Sequence, residues 1–204
     1  SMRFPGTLNM DVNEITTNLV PYPRLHFLLS SIAPLNTGKQ TLSGAKHVDA
    51  MFGACLEKDH QLVNCNARGS TFLASAMIAR GADITVADMS RNLPRLRERM
   101  RMVHWNSEGF KTALCSVPPL GHKHSLLMLS NNCAINEKLR SLRDRFMRLY
   151  SVKSHVHHYE QYLEQSYFDG TMDIVGNVID DYDFLNTLEP PQRQPKSMRD
   201  LVVL

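Results

Sequence analysis

Thr71-Phe72-Leu73-Ala74-Ser75-Ala76-Met77-Ile78-Ala79 is an almost wholly apolar run flanked by Gly69 and Gly81. Its length and the glycine punctuation at both ends predict a buried β-strand. Downstream, a helix is expected from about Ile84 to Met100, with Pro94 starting, kinking or dividing it. Met102–Trp105, Phe110–Val117 and Ser125–Leu129 read as strands, and Asn131-Asn132 as a turn. Ile135, Leu139, Leu142, Phe146 and Leu149 then recur at spacings of three and four, the clearest helical stripe in the chain. A last helix is expected from Asp169, a good cap, with Met172, Val175, Val178, Ile179, Tyr182 and Leu185 on one face.

Upstream, Pro5-Gly6 marks an opening loop, and Val12, Ile15, Leu19 and Val20 form one helix face that Pro21 ends. Leu25–Ile32 has strand character, residues 35–47 read as a mobile loop, and His47–Leu56 as a short helix. This alternation predicts an α/β (α+β layered) fold. The expected organisation is a sheet unit over residues 1–134, a helical region over 135–189 and a flexible tail over 190–204, opened by Pro190-Pro191. The pattern leaves strand order open.

The 204 residues carry 23 Lys plus Arg against 20 Asp plus Glu, and 43% are hydrophobic. That apolar content excludes a disordered chain, and no apolar run approaches the roughly 18 residues of a membrane span. The start, Ser1-Met2-Arg3, has no apolar signal region. Cys55, Cys65, Cys115 and Cys133 lie far apart and read as buried free thiols, which fits a reducing, intracellular setting. His155-x-His157-His158 and His122-x-His124 lack the four convergent ligands a zinc site takes, so no metal is expected.

The net charge of +3 hides an asymmetry, because residues 159–189 hold eight acids and no Lys or Arg. Arginine-rich stretches occupy 91–101 and 138–148. Few aromatics interleave with them, and a basic helix beside an acidic one accounts for much of the pattern without nucleic acid.

Asn9-Met10-Asp11-Val12-Asn13-Glu14 places two carboxylates three residues apart where a helix begins. One reading is a capping box, with Asp11 capping the backbone and Glu14 reaching back. The other is a solvent-facing Glu14 that polarises a water at a surface contact. No phosphate-cradling glycine loop and no nucleophile elbow occurs, so the chain has no self-contained active site.

Arg3-Phe4-Pro5-Gly6-x-Leu8-Asn9-x-Asp11, followed by Asn18-Leu19-Val20-Pro21-Tyr22-Pro23-Arg24-Leu25-His26-Phe27, resembles the tubulin superfamily. The similarity continues through Ala33-Pro34-Leu35, Ala79-Arg80-Gly81, Trp105, Phe110-Lys111-Thr112 and Phe146-Met147, from Arg3 to about Glu189. Lys58-Asp59-His60-Gln61-Leu62, Cys115-Ser116-Val117-Pro118-Pro119 and Arg145-Phe146-Met147-Arg148-Leu149-Tyr150 look most like the epsilon type.

The resemblance implies the second half of a tubulin: an intermediate-domain sheet flanked by helices, then an antiparallel pair of carboxy-terminal helices. It implies no cofactor in this fragment, which alone is no enzyme, and GTP with Mg in the full-length protein. It also implies that Glu14 acts in trans on the GTP of a neighbouring subunit, orienting the water that attacks the γ-phosphate. Alpha-type subunits have a glutamate there and beta-type subunits a lysine. Asp11 would order the segment or assist, and Asn9 would approach the neighbour's nucleotide. Gly6, Leu8, Trp105 and Lys111 match longitudinal contacts, and Lys39 and Lys46 fall in the lateral-contact loop. The implied partners are other tubulin subunits, delta-tubulin or alpha/beta-tubulin among them, and centriolar accessory proteins, with no nucleic acid and no membrane. The implied location is the cytoplasm and cytoskeleton, at the centriole or basal body of the cilium. The tail lacks the glutamates of alpha and beta chains and ends Arg199-Asp200-Leu201-Val202-Val203-Leu204. The alternative is a non-polymerising interaction module that binds accessory proteins through its basic surfaces.

Overall fold

The computed structural model describes residue 4, residues 6–35 and residues 45–188, the side chains of Ala45 and Lys46 excepted. Its centre is a five-stranded mixed sheet of β1 (Gly6–Leu8), β2 (Leu28–Ala33), β3 (Phe72–Arg80), β4 (Phe110–Cys115) and β5 (Ser125–Asn132). The strand order is β1-β4-β3-β5-β2. Only β3 and β4 run parallel, and the crossover between them carries helix α3 (Val86–Arg99); every other pairing is antiparallel. The apolar run at 72–80 is the middle strand, covered on both faces, which is why its sequence does not alternate polar with apolar.

Alternation along β3 sorts the two layers. Ala74 and Ala76, with Ala113 of β4, face helix α1 (Val12–Leu19) and pack on Met10 and Leu19. Three alanines at that position let the helix lie close to the sheet. Leu73, Met77 and Ala79 join the larger core beneath α2 (Ala45–Ala54) and α3, which contribute Val48, Met51, Phe52, Met89 and Leu96. Thr85 and Asp88 form a complete capping box at the start of α3, and the helix runs through Pro94 without ending. Cys55, Cys65, Cys115 and Cys133 are buried thiols outside any disulfide. Burial pushes the thiols of Cys55 and Cys133 up to about 12, which keeps them protonated and unreactive.

The carboxy-terminal part holds α4 (Ile135–Ser151), the short α5 (His157–Glu160) and α6 (Gln165–Thr187). Asn136 of α4 bonds to Ile179 and Asp183 of α6, whereas Tyr150 bonds to Gln165 and Asp169. Early residues of one helix meet late residues of the other, so the pair is antiparallel. No helix among the described residues is long and apolar enough to cross a membrane.

Several expectations are corrected. The expected opening loop is replaced from Gly6 on by an edge strand, Gly6–Leu8, paired with β4; Pro5 lies outside the described residues. Met102–Trp105 is not a strand; Met102 makes one bridge to Phe72, and His104–Asn106 is a 3-10 turn. Asn131-Asn132 is no turn but the end of β5, and both side chains are fully buried. The Asn131 amide donates to the carbonyls of Leu19 and Leu25, and that of Asn132 donates to the carbonyl of Ala67. Helix α6 starts before Asp169, which instead accepts a hydrogen bond from the Tyr150 hydroxyl. Leu142 and Leu149 of the α4 stripe are exposed, because α4 meets α6 along only part of that face. The expected 35–47 loop gives way to α2 at Ala45; residues 36–44, and the tail from 189, lie outside the described residues.

Candidate functional site at the start of α1

β1 lies against β4, with Gly6 opposite Cys115 and Leu8 opposite Leu114. Gly6 is required there: a Cβ would run into the carbonyl oxygen of Leu114. The chain leaves the strand at Asn9, an exposed residue, and Met10 anchors it by inserting between α1 and the sheet. Asp11 follows in extended conformation as the N-cap of α1, its Oδ1 accepting the backbone N–H of Glu14 at 2.7 Å.

The second half of the expected capping box is not formed. The Glu14 side chain turns to β4 instead, where its Oε2 lies 2.8 Å from Nζ of Lys111. Lys111 stands opposite Ala76 in the β3–β4 register, on the face that carries α1, so strand pairing brings it beneath the helix start. The side chains are 44% and 34% exposed, Glu14 and Lys111 respectively, so the ion pair lies at the surface. Farther along α1, Asn18 donates to the Glu14 carbonyl at 2.6 Å. At the other end of the helix, Tyr22 meets Trp105 edge-on, ring centroids 5.9 Å apart. Trp105 is exposed and not a core residue.

The structure thus brings Gly6, Leu8, Asn9, Asp11, Glu14 and Lys111 to one edge of the sheet, and sets Trp105 beside the end of α1. Lys39 lies outside the described residues, and of Lys46 only the helical backbone is described. Two residues escaped the sequence reading of the site. Tyr22 partners Trp105, and its place directly after Pro21 was the available signal. Asn131 pins both ends of the segment that follows α1, and its Ser-Asn-Asn context gave only a turn signal.

The other candidate clusters do not converge. No group of three or more His, Cys, Asp or Glu side chains among the described residues is arranged to hold a metal. His124 is buried 5.6 Å, ring to ring, from His47, and the exposed His157 and His158 of α5 have ring centroids 3.9 Å apart, tilted by 42°. Much of the basic charge is engaged within the chain. Arg91 and Arg95 reach Asp49, Arg140 reaches Asp183, and Arg101 donates to the Asn186 carbonyl. The Arg91 guanidinium, chiefly through its hydrogen bond, holds the Asp49 carboxyl below the usual carboxylate range.

Residues 23–144 match the family described as Tubulin C-terminal domain. The chain is 44% identical over 200 residues to the human tubulin epsilon chain, covering 96% of this chain and 42% of that protein. It is 46% identical over 188 residues to the mouse tubulin epsilon chain, covering 91% of this chain and 39% of its relative. A tubulin alpha chain of Pneumocystis carinii is 35% identical over 169 residues, covering 78% of this chain and 79% of that sequence. The chain therefore spans well under half the length of the two epsilon chains.

Proposed function

The chain belongs to the tubulin family, and from that premise we propose that the start of α1 is the surface that meets the GTP of the next subunit in a longitudinal contact. The family makes it a cytoskeletal protein, and the epsilon chains give its type. The observation that carries the proposal is the Asp11-capped first turn, which presents Glu14 at the sheet edge with its side chain 44% exposed.

In the proposed role Glu14 accepts a hydrogen bond from a water and orients it on the γ-phosphorus, while Asp11 keeps the turn from fraying. The water oxygen bonds to phosphorus as the bond to the β,γ-bridging oxygen breaks. The electron pair leaves with the diphosphate, and the water's proton passes through Glu14 to the phosphate released. Asn9, exposed one residue before Met10, faces the same neighbour, and Gly6 and Leu8 hold the strand that leads into the contact. GTP with Mg belongs to the full-length subunits, whose partners are tubulin subunits of the delta or alpha/beta type and centriolar accessory proteins. The site of action is the compound microtubule of the centriole or basal body. A non-polymerising module binding through basic surfaces has less support, because Arg91, Arg95, Arg101 and Arg140 are already engaged internally.

The test is GTP turnover of the full-length protein in its assembled state. Glu14→Ala is expected to slow phosphate release by roughly a hundredfold or more, the contribution of a positioned acid–base group. Unchanged turnover at equal assembly refutes the proposal.

A further inference from the structure

The Glu14 carboxylate is not symmetric in its surroundings. Oε2 is closed off from solvent and forms an ion pair with Lys111 Nζ at 2.8 Å without meeting hydrogen-bond geometry, while the side chain as a whole is 44% exposed. The exposure therefore falls on Oε1 and the methylenes. Both ends of this contact are fixed by backbone structure. Asp11 caps the helix turn that carries Glu14, and the β3–β4 pairing fixes Lys111 opposite Ala76. Neither side chain has another ion-pair partner among the described residues.

We propose that Lys111 is a positioning residue for Glu14: by taking one carboxylate oxygen it leaves the other as the single oxygen that faces the neighbouring subunit and its attacking water. The inference rests on the role proposed above for Glu14. A free glutamate at a helix surface samples several rotamers and offers either oxygen, so a water bound to it has no fixed direction. A lysine on a rigid strand removes that freedom while only one of the two carboxylate oxygens is buried. Both side chains stay partly exposed, and the carboxylate keeps its second oxygen with its lone pairs open. Lysine suits the task because its compact ammonium pairs by charge with one oxygen, whereas the fork of an arginine can engage both.

The test uses the full-length protein co-assembled with GTP-loaded alpha/beta-tubulin, comparing wild type, Lys111→Met, Lys111→Arg, Glu14→Gln and the Lys111→Met/Glu14→Gln pair. Phosphate release is read alongside pelleted polymer. Lys111→Met keeps the aliphatic stem and is expected to slow turnover on the order of tenfold or more at unchanged polymer mass. Lys111→Arg should restore part of that loss, and the double variant should be no slower than Glu14→Gln alone, since the lysine acts only through the glutamate. A slow Glu14→Gln with a wild-type rate in Lys111→Met overturns the role of Lys111 and leaves that of Glu14 standing. So does a double variant markedly slower than Glu14→Gln. A wild-type rate in Glu14→Gln overturns the role of Glu14 itself. Should Lys111→Met fail to assemble, polymer of wild-type subunits doped with the variant gives the same comparison per incorporated subunit.

Discussion

Replacing Asn131 by leucine separates hydrogen bonding from packing at the point where the site is tied to the core. Asn131 is fully buried, and its amide donates to the Leu19 carbonyl at 2.9 Å and to the Leu25 carbonyl at 2.6 Å. The Tyr182 hydroxyl donates to its Oδ1 at 3.4 Å. Leucine keeps the heavy-atom count and branching and is the larger residue, so the change opens no cavity but leaves the Leu19 and Leu25 carbonyl oxygens without partners in a closed interior, while the Tyr182 hydroxyl keeps its bond to the Phe27 backbone. Each orphaned buried polar group costs about 1–3 kcal/mol. For the two carbonyls, allowing for relaxation around them, the loss should be roughly 2–4 kcal/mol. For a chain of this size that lowers the melting temperature by about 5–15 °C. Urea unfolding of the 204-residue chain, followed by circular dichroism, gives the free energy directly. Amide hydrogen exchange should show the largest loss of protection over residues 12–25, because Leu19 and Leu25 bracket the chain that leaves α1. A loss below about 0.5 kcal/mol would mean that the carbonyls find other partners and that Asn131 does not hold the helix.

Two further predictions follow the same geometry. Asp11→Ala removes the N-cap and should cost about 1 kcal/mol in urea unfolding; in assembled full-length protein it should slow turnover less than Glu14→Ala, and an equal effect would make Asp11 more than a cap. His47 is depressed below its ordinary pKa, first by burial and then by the charge of His124. The unfolded chain therefore takes up a proton that the folded chain refuses, so stability is unaffected above the ordinary histidine range and falls as pH drops through it. Chemical denaturation at pH 7.5 and 5.5 should show a smaller difference for His47→Gln than for wild type, and an identical pH dependence would refute the assignment.

The strands and helices with local signatures were legible in the sequence. The 72–80 strand announced itself by unbroken apolarity and α1 by its apolar spacing and acidic cap, because each needs only its own neighbours to be recognised. What failed were features decided by distant partners. Asn131 and Asn132 look like a turn until the carbonyls of Leu19, Leu25 and Ala67 are brought to them. Met102–Trp105 has strand composition but finds a single bridging partner. Glu14 follows the capping-box spacing from Asp11, yet Lys111, far away in the chain, takes its carboxylate. The residues of the candidate site were readable through resemblance, whereas their pairing required the β3–β4 register.

The most direct measurement is a cryo-EM reconstruction of the assembled full-length protein with a slowly hydrolysed GTP analogue. The prediction is that the start of α1 faces the neighbour's nucleotide, with the Glu14 carboxylate one water molecule from the γ-phosphate and Lys111 still on its other oxygen. A polymer in which the Asn9–Glu14 segment faces solvent, or contacts a neighbour away from its nucleotide, would contradict it.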